Sequence, residues 1–291
     1  MFRKKKKARS ESQEEAPATG REKYDREKYD QEKYDLVTSV LSDVGCIREL
    51  NEDSGDCVCP DDAGLRASKG VLAIVADGMG GHSAGEVASG LAVEVIRRAY
   101  YEDKDEPQAA LKKAFQEANR EIYKAAEKDE SKKGMGTTCT ALVLQNGAAI
   151  SAHVGDSRLY LVRDGHIYLM TEDHSAVMEM VKAGAITLEQ ARHHPDKNVI
   201  LRAMGSHPEV EVATWQEPFP VKPGDSFLVC SDGLYDLVED EEIKQIVMIN
   251  NPQAACDNLV SLAKERGGHD NITVVITSLK PKGYKGRPVP E

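Results

Sequence analysis

The chain has 291 residues, 40% of them hydrophobic, which is enough to bury a full core in one large domain or two small ones. Its 49 acidic residues outnumber the 38 basic ones and leave a formal net charge of -11, which argues against a general nucleic-acid or anionic-membrane binder. The longest apolar runs, such as 70–76, fall well short of the roughly 20 residues a membrane helix needs, so no transmembrane segment is expected.

The start of the chain is basic, with six Lys or Arg among the first nine residues, and it leads into Ser10-Glu11-Ser12-Gln13-Glu14-Glu15 where an export signal would have an apolar stretch. A cytoplasmic protein with six reduced, ordinary thiols is expected. A five-residue repeat follows: Arg21-Glu22-Lys23-Tyr24-Asp25, Arg26-Glu27-Lys28-Tyr29-Asp30 and Gln31-Glu32-Lys33-Tyr34-Asp35. Five residues advance a helix by about 140°, so the three tyrosines spiral around it and share no buried stripe. Residues 1–35 are therefore read as a solvated, disordered or partly helical tail. Its basic run could touch anionic lipid or another acidic surface, and charge alone also permits a nuclear-localisation reading. The tail holds 11 basic and 9 acidic residues, so the negative balance belongs to the rest of the chain.

From residue 36, β-rich runs alternate with amphipathic segments. Strands are expected at 37–44, 71–76, 138–144, 149–154, 158–162, 166–170, 227–230 and 272–277. Asn146-Gly147 and Asp164-Gly165 are hairpin turns, since both pairs accept φ > 0. Helices are expected at 84–101, 107–127, 175–183, 241–250 and 252–266, two of them opening on proline. Pairs of helices between blocks of strands predict an α+β protein with sheets packed on each other and helices outside.

Four aspartates stand at the ends of these strands: Asp77 in Asp77-Gly78-Met79-Gly80-Gly81-His82, Asp156 in Val154-Gly155-Asp156-Ser157-Arg158, Asp232 in Ser231-Asp232-Gly233 and Asp270 in His269-Asp270-Asn271. The glycines after Asp77 match neither a dinucleotide fingerprint nor a P-loop. Strand ends meet on one rim of a sandwich, where carboxylates crowded without a cation would raise one another's pKa. A shared cation relieves that conflict, and all-oxygen ligation favours magnesium, manganese or calcium over zinc. His153, His166, His174, His193, His194 and His207 show no ligand pattern and are read as structural or solvated.

Read in order, Arg48-Glu49-Leu50-Asn51-Glu52-Asp53, the Asp77 loop, Gly136-Thr137-Thr138, the Asp156 link, Glu172-Asp173-His174-Ser175, Ser231-Asp232-Gly233 and His269-Asp270-Asn271 resemble the seven motifs of the PPM family, the protein phosphatase 2C class. The resemblance spans about 37–279. Met79 and the stretch from Ala183 to Gly205 look like its bacterial branch. The resemblance implies a four-layer α-β-β-α sandwich of two antiparallel sheets flanked by helices, with a catalytic domain over 36–280, a mobile flap at about 175–205 and a short C-terminal tail over 281–291.

It further implies a centre of two Mn2+ or Mg2+ ions. Asp77 would bridge both, Asp232 and Asp270 would complete one shell, the Gly78 carbonyl would serve the other ion, and Glu52 and Asp53 would act through water. Asp156 matches a ligand for a third, weaker metal, though in such a link it could instead cap a turn or pair with Arg158. Arg48 would clamp the substrate phosphate with its bidentate fork.

The implied activity is hydrolysis of phosphoserine and phosphothreonine on proteins by a metal-bridging hydroxide, by a monomer whose partners could include a cognate serine/threonine kinase. The general acid stays open: animal members carry histidine where Met79 stands, and His82, a metal-bound water or a purely structural role for His82 are all compatible with the residues. The alternative function is a catalytically weak, phosphoprotein-binding module on the same fold, which predicts missing ligands.

Overall fold

Side-chain alternation and turn chemistry divide residues 34–80 and 84–283, which the computed structural model describes, into strands and helices. The strands are β1 (Tyr34–Asp43), β2 (Asp53–Val58), β3 (Val71–Met79), β4 (Gly136–Thr137), β5 (Cys139–Gln145), β6 (Ala148–Val154), β7 (Arg158–Arg163), β8 (His166–Leu169), β9 (Ala213–Thr214), β10 (Phe219–Pro220), β11 (Ser226–Cys230) and β12 (Ile272–Pro281). The helices are α1 (Ala63–Lys69), α2 (Ala84–Glu102), α3 (Pro107–Lys128), α4 (Ala176–Lys182), α5 (Leu188–Arg192), α6 (Asp232–Tyr235), α7 (Asp240–Ile249) and α8 (Pro252–Glu265).

The strands form two antiparallel sheets, one in the order β1-β12-β11-β7-β8 and the other in the order β10-β6-β5-β3-β2, with β4 added to β3 and β9 to β6. Alternation sends neighbouring side chains into different cores. On β3, Leu72, Ile74 and Ala76 pack against Val95 and Ile96 of α2 and Leu111 and Phe115 of α3. Ala73 and Val75 point the other way, into a core shared with Leu159, Leu161, Phe227 and Val229 of the opposite sheet. On β11 the same period turns Leu228 and Cys230 outward, onto Ile243 of α7 and Leu259 of α8. The molecule is thus the expected helix, sheet, sheet, helix sandwich. Strands buried on both faces read as unbroken apolar runs, which is why β3 and β5 are legible in the sequence.

Both hairpins form as expected: Asn146 and Gly147 have φ of 48° and 75°, and Asp164 and Gly165 have 53° and 83°. Pro107 and Pro252 open α3 and α8, and Asn251 caps α8 by accepting from Ala254 N at 3.0 Å. The unexpected strand β2 is an edge strand of sequence Asp-Ser-Gly-Asp-Cys-Val, too polar to stand out, and exists through its ladder with β3.

The first strand starts earlier than expected, and β3 and β12 run on to Met79 and Pro281, past the expected ends at 76 and 277. The first strand begins at Tyr34, and its ten-residue ladder with β12 ends with Tyr34 opposite Pro281. Tyr34 is buried in the inter-sheet core beside Leu279 and Phe219. The third repeat therefore contributes a core side chain, because a strand needs only one of the tyrosines where a helix would need a stripe. The remainder of the expected N-terminal tail, His82, and residues 284–291 of the expected C-terminal tail lie outside the described residues.

The expected flap is built of α4 and α5, capped by Ser175 and by a reciprocal Thr187–Gln190 pair. Its two ends close on each other through a Ser175–Ile200 bridge. Arg192 pairs with Glu239 and Asp240, and Lys197 pairs with Asp236, so the flap rests on the start of α7 and the end of α6. Among the described residues no helix is long and apolar enough to cross a membrane.

The ladder of β1 and β12 sets up a direct test. Tyr34→Ala should cost roughly 3 kcal/mol in chemical denaturation, the low end for a buried aromatic ring. Removal of residues 1–33 should leave stability in the same measurement unchanged.

Candidate metal centre

The register of the sheets decides which strand ends meet. Asp53 at the start of β2 stands opposite Asp77 near the end of β3. In the facing sheet Cys230 pairs with Val274 and with Arg158, so Asp232, Asp270 and the link holding Asp156 emerge at one end. Asp77, Asp53, Asp232, Asp156 and Asp270 face one another there, with Glu52 and Arg48 on the loop before β2. Each expected ligand side chain among the described residues is thus on a single rim.

The backbone around these carboxylates is held firmly. Asp77 N donates to Thr138 Oγ1 at 3.0 Å, and the Asp77 carbonyl accepts from Thr138 N and Thr137 Oγ1, both at 2.9 Å. Ser231 Oγ donates to Asp53 Oδ2 at 2.7 Å. A Cβ on Gly78 would lie 2.1 Å from the Gly85 carbonyl and 2.5 Å from that of Glu52, so only glycine fits at that position. Met79 ends β3 opposite Gly136.

Sequence reasoning assigned no task to Asn271, which proves central. Its Oδ1 accepts from Glu52 N at 2.8 Å, and its Nδ2 donates to the carbonyls of Val44 and Leu50 at 2.9 Å. One buried amide therefore fastens the loop carrying Arg48 and Glu52 to the root of β12. The signal was an amide directly beside a candidate ligand. Ser231 and Thr138 were likewise visible in the motifs and given no role.

Charge crowding is severe. Burial pushes the Asp53 carboxyl up to about 7, against the opposing hydrogen bonds of Ser231 and Thr273. Burial raises Asp232 to about 6, with Asp236 and Asp270 adding to it. Asp77 is raised by burial and then by Asp53, Asp232, Asp156 and Asp270. Asp156 is raised by burial, then by Asp232 and Asp173, and burial raises Glu52. Two of the oxygens, Glu52 Oε1 and Asp232 Oδ1, are buried with no hydrogen-bond partner. A buried carboxylate oxygen without a donor is costly, and a divalent cation is the group that satisfies several at once.

The residues fit such an ion. Among the described residues no three His, Cys, Asp or Glu side chains close on one point as a cage that would hold an ion unaided. Magnesium-type ions do not require one, since they bind through one or two carboxylates and keep several waters.

The Arg48 guanidinium is half-exposed and gives Nη2 to Asp270 Oδ2 at 2.8 Å. The pairing of Asp156 with Arg158 does not form. Arg158 instead spends Nε and Nη2 on Asp173, at 3.1 and 2.7 Å, with its guanidinium 3.7 Å above the Tyr235 ring. That leaves Asp156, itself buried, facing the rim.

The model of the family described as protein phosphatase 2C matches residues 53–278. A serine/threonine phosphatase of Listeria innocua is 40% identical over 250 residues, covering 83% of this chain and 96% of the relative. The crystal structure of a Mycobacterium tuberculosis serine/threonine phosphatase superposes with a TM-score of 0.74 at 38% identity, covering 84% of this chain and 99% of that one. A structure of the catalytic domain of the serine/threonine protein phosphatase PstP in complex with two manganese ions has a TM-score of 0.72 at 35% identity, covering 84% and 98%. The chain belongs to the protein phosphatase 2C family. It is accordingly a metal-dependent phosphoprotein phosphatase.

The raised carboxyl groups make stability depend on pH in a definite direction. An acid whose folded pKa lies above its unfolded value of 3.8 contributes stability that is fully present below that value and is lost as pH rises through the folded pKa, here about 6 for Asp232 and about 7 for Asp53. In chelator, the melting temperature should fall as pH rises from about 5 to about 8, and manganese should restore it. A flat profile in chelator would contradict the crowding.

Proposed function

We propose that this protein hydrolyses phosphoserine and phosphothreonine on proteins by direct attack of water on phosphorus, with no phosphoenzyme. The observation that carries the reading is the partly buried carboxylate rim, with two orphaned oxygens, beside the half-exposed fork of Arg48. In this reading Asp77, Asp232, Asp270 and the Gly78 carbonyl would hold two magnesium or manganese ions, Glu52 and Asp53 would act through water, and Asp156 would hold a third. When bound, the cations supply Lewis-acid charge to the phosphate and a water acidic enough to attack near neutral pH.

The chain's own residues do the positioning. Arg48 offers a planar fork to two phosphate oxygens, a geometry lysine cannot reproduce. Asp270 holds that fork at the rim until phosphate arrives, and Asn271 fixes the loop that carries it. The hydrogen bonds of Thr137 and Thr138 to the Asp77 peptide hold the backbone from which its carboxylate projects. The leaving oxygen needs a proton, and Met79 has none to give. We assign that proton to water ordered by Asp156. The proposal extends to a cytoplasmic monomer acting on proteins phosphorylated by a serine/threonine kinase, consistent with six cysteines carried as free thiols.

Phosphate release from a phosphothreonine peptide with manganese, repeated in chelator, tests the activity itself. Asp77→Asn or Asp232→Asn should lower turnover by about a hundredfold or more, near 2.7 kcal/mol of barrier, while circular dichroism stays native. Arg48→Ala should act mainly on KM, raising it about tenfold with a smaller loss of kcat, because the fork binds phosphate in ground and transition states alike. Asp156→Ala should lower turnover at least about tenfold, equivalent to about 1.4 kcal/mol, and leave the melting temperature near normal.

A further inference from the structure

The link Gly155-Asp156-Ser157 is gripped at every peptide. Gly155 N donates to His174 Nδ1 at 3.1 Å, and the Gly155 carbonyl accepts from His174 N at 2.7 Å. The Asp156 carbonyl accepts from the Tyr235 hydroxyl at 3.1 Å. The Ser157 carbonyl accepts from Thr140 Oγ1 at 2.8 Å, and the Ser157 hydroxyl shares a 2.7 Å hydrogen bond with Thr138. The backbone that carries the Asp156 carboxylate is thereby fixed.

His174 is the member of this set that comes from outside the sandwich. It immediately precedes the flap, is buried, and its ring lies 4.7 Å from that of His153. His153 is itself held at both ring nitrogens, Nδ1 lying 2.8 Å from Thr140 Oγ1 and Nε2 3.2 Å from the Glu172 carbonyl. The His174 carbonyl accepts from Leu201 N at 2.7 Å, and Ala176 N donates to the Val199 carbonyl at 2.9 Å. The chain entering the flap and the chain leaving it therefore meet at His174. Of the two hydrogen bonds at Gly155, the one to the carbonyl comes from the His174 main chain, and the one from the N–H is the imidazole's own contribution.

We infer that His174 is a positioning residue for Asp156, and that it couples the base of the flap to this carboxylate; the inference rests on the reading of Asp156 proposed above. Its imidazole accepts at Nδ1, and its main chain holds the flap closed at the base. Movement of either end is passed to the link through the two hydrogen bonds at Gly155.

The test uses the full chain and two substitutions that differ in where they place an acceptor. His174→Asn keeps an oxygen at the place of Nδ1, while His174→Gln moves it out to the place of Nε2. Turnover and KM on a phosphothreonine peptide, the manganese concentration for half-maximal activity, and the melting temperature are measured for both. His174→Gln should lose about tenfold in kcat with KM unchanged and a higher manganese requirement, and His174→Asn should stay within about threefold of wild type. In an Asp156→Ala background His174→Gln should cause no further loss, because no carboxylate remains to be positioned.

Wild-type turnover for His174→Gln, an equal fall for His174→Asn, or losses that multiply in the double variant would overturn the inference. So would a lowered melting temperature with unchanged turnover per folded molecule. Wild-type turnover for Asp156→Ala alone would instead defeat the reading of Asp156, and the inference with it.

Discussion

Repulsion among buried and partly buried carboxylates at one end of the sandwich is the constraint on which the remaining structure depends. Asp53, Asp77, Asp156 and Asp232 are each pushed upward, first by burial and then by neighbouring carboxylates. A chain evolved only for stability would place apolar or hydrogen-bonded groups there, since unpaired buried charge is among the costliest arrangements in a protein. The rim makes sense as a place where positive charge is required. The negative balance of the folded part acts in the same direction at longer range, drawing cations toward it.

Holding such a rim together needs a rigid frame, and the frame is made of backbone hydrogen bonds supplied by small polar side chains. Thr137 and Thr138 hold the Asp77 peptide, Ser231 holds Asp53, and Asn271 ties the Arg48 loop to β12. These residues are neutral, so they fix geometry without adding to the charge conflict. Gly78 and Gly155 allow the close approaches this needs: a side chain at either would run into Gly85 and Glu52, or into Thr138. Below the rim the two sheets are packed through Leu159, Leu161, Phe227 and Val229, so the frame stands on a dry core and not on loops alone.

The flap belongs to the same mechanical unit. It is tied to α6 and α7 by ion pairs of partly exposed side chains, which are weak and sensitive to salt, while its base is tied to the Asp156 link by buried hydrogen bonds. The outer contacts can therefore yield while the inner ones persist.

Much of this was written in local sequence. The doubly buried strands, the two hairpin turns, the proline-initiated helices and the aspartates after apolar runs all announce themselves through periodicity and turn chemistry, which act over a few residues. Strand β2 did not, because its polar sequence becomes a strand only by pairing with β3. Tyr34 looked like one repeat among three until a ladder with β12 drew it into the core. The partner of Arg158, the task of Asn271 and the grip of His174 on Gly155 join residues 15, 221 and 19 positions apart or are fixed by such contacts, and no local pattern encodes them. Sequence alone determined which residues could carry the chemistry, since side-chain type and spacing are local properties. Tertiary structure alone decided which of them face each other, because only the register of two packed sheets brings distant strand ends to a common rim and sets their carboxylates against one another.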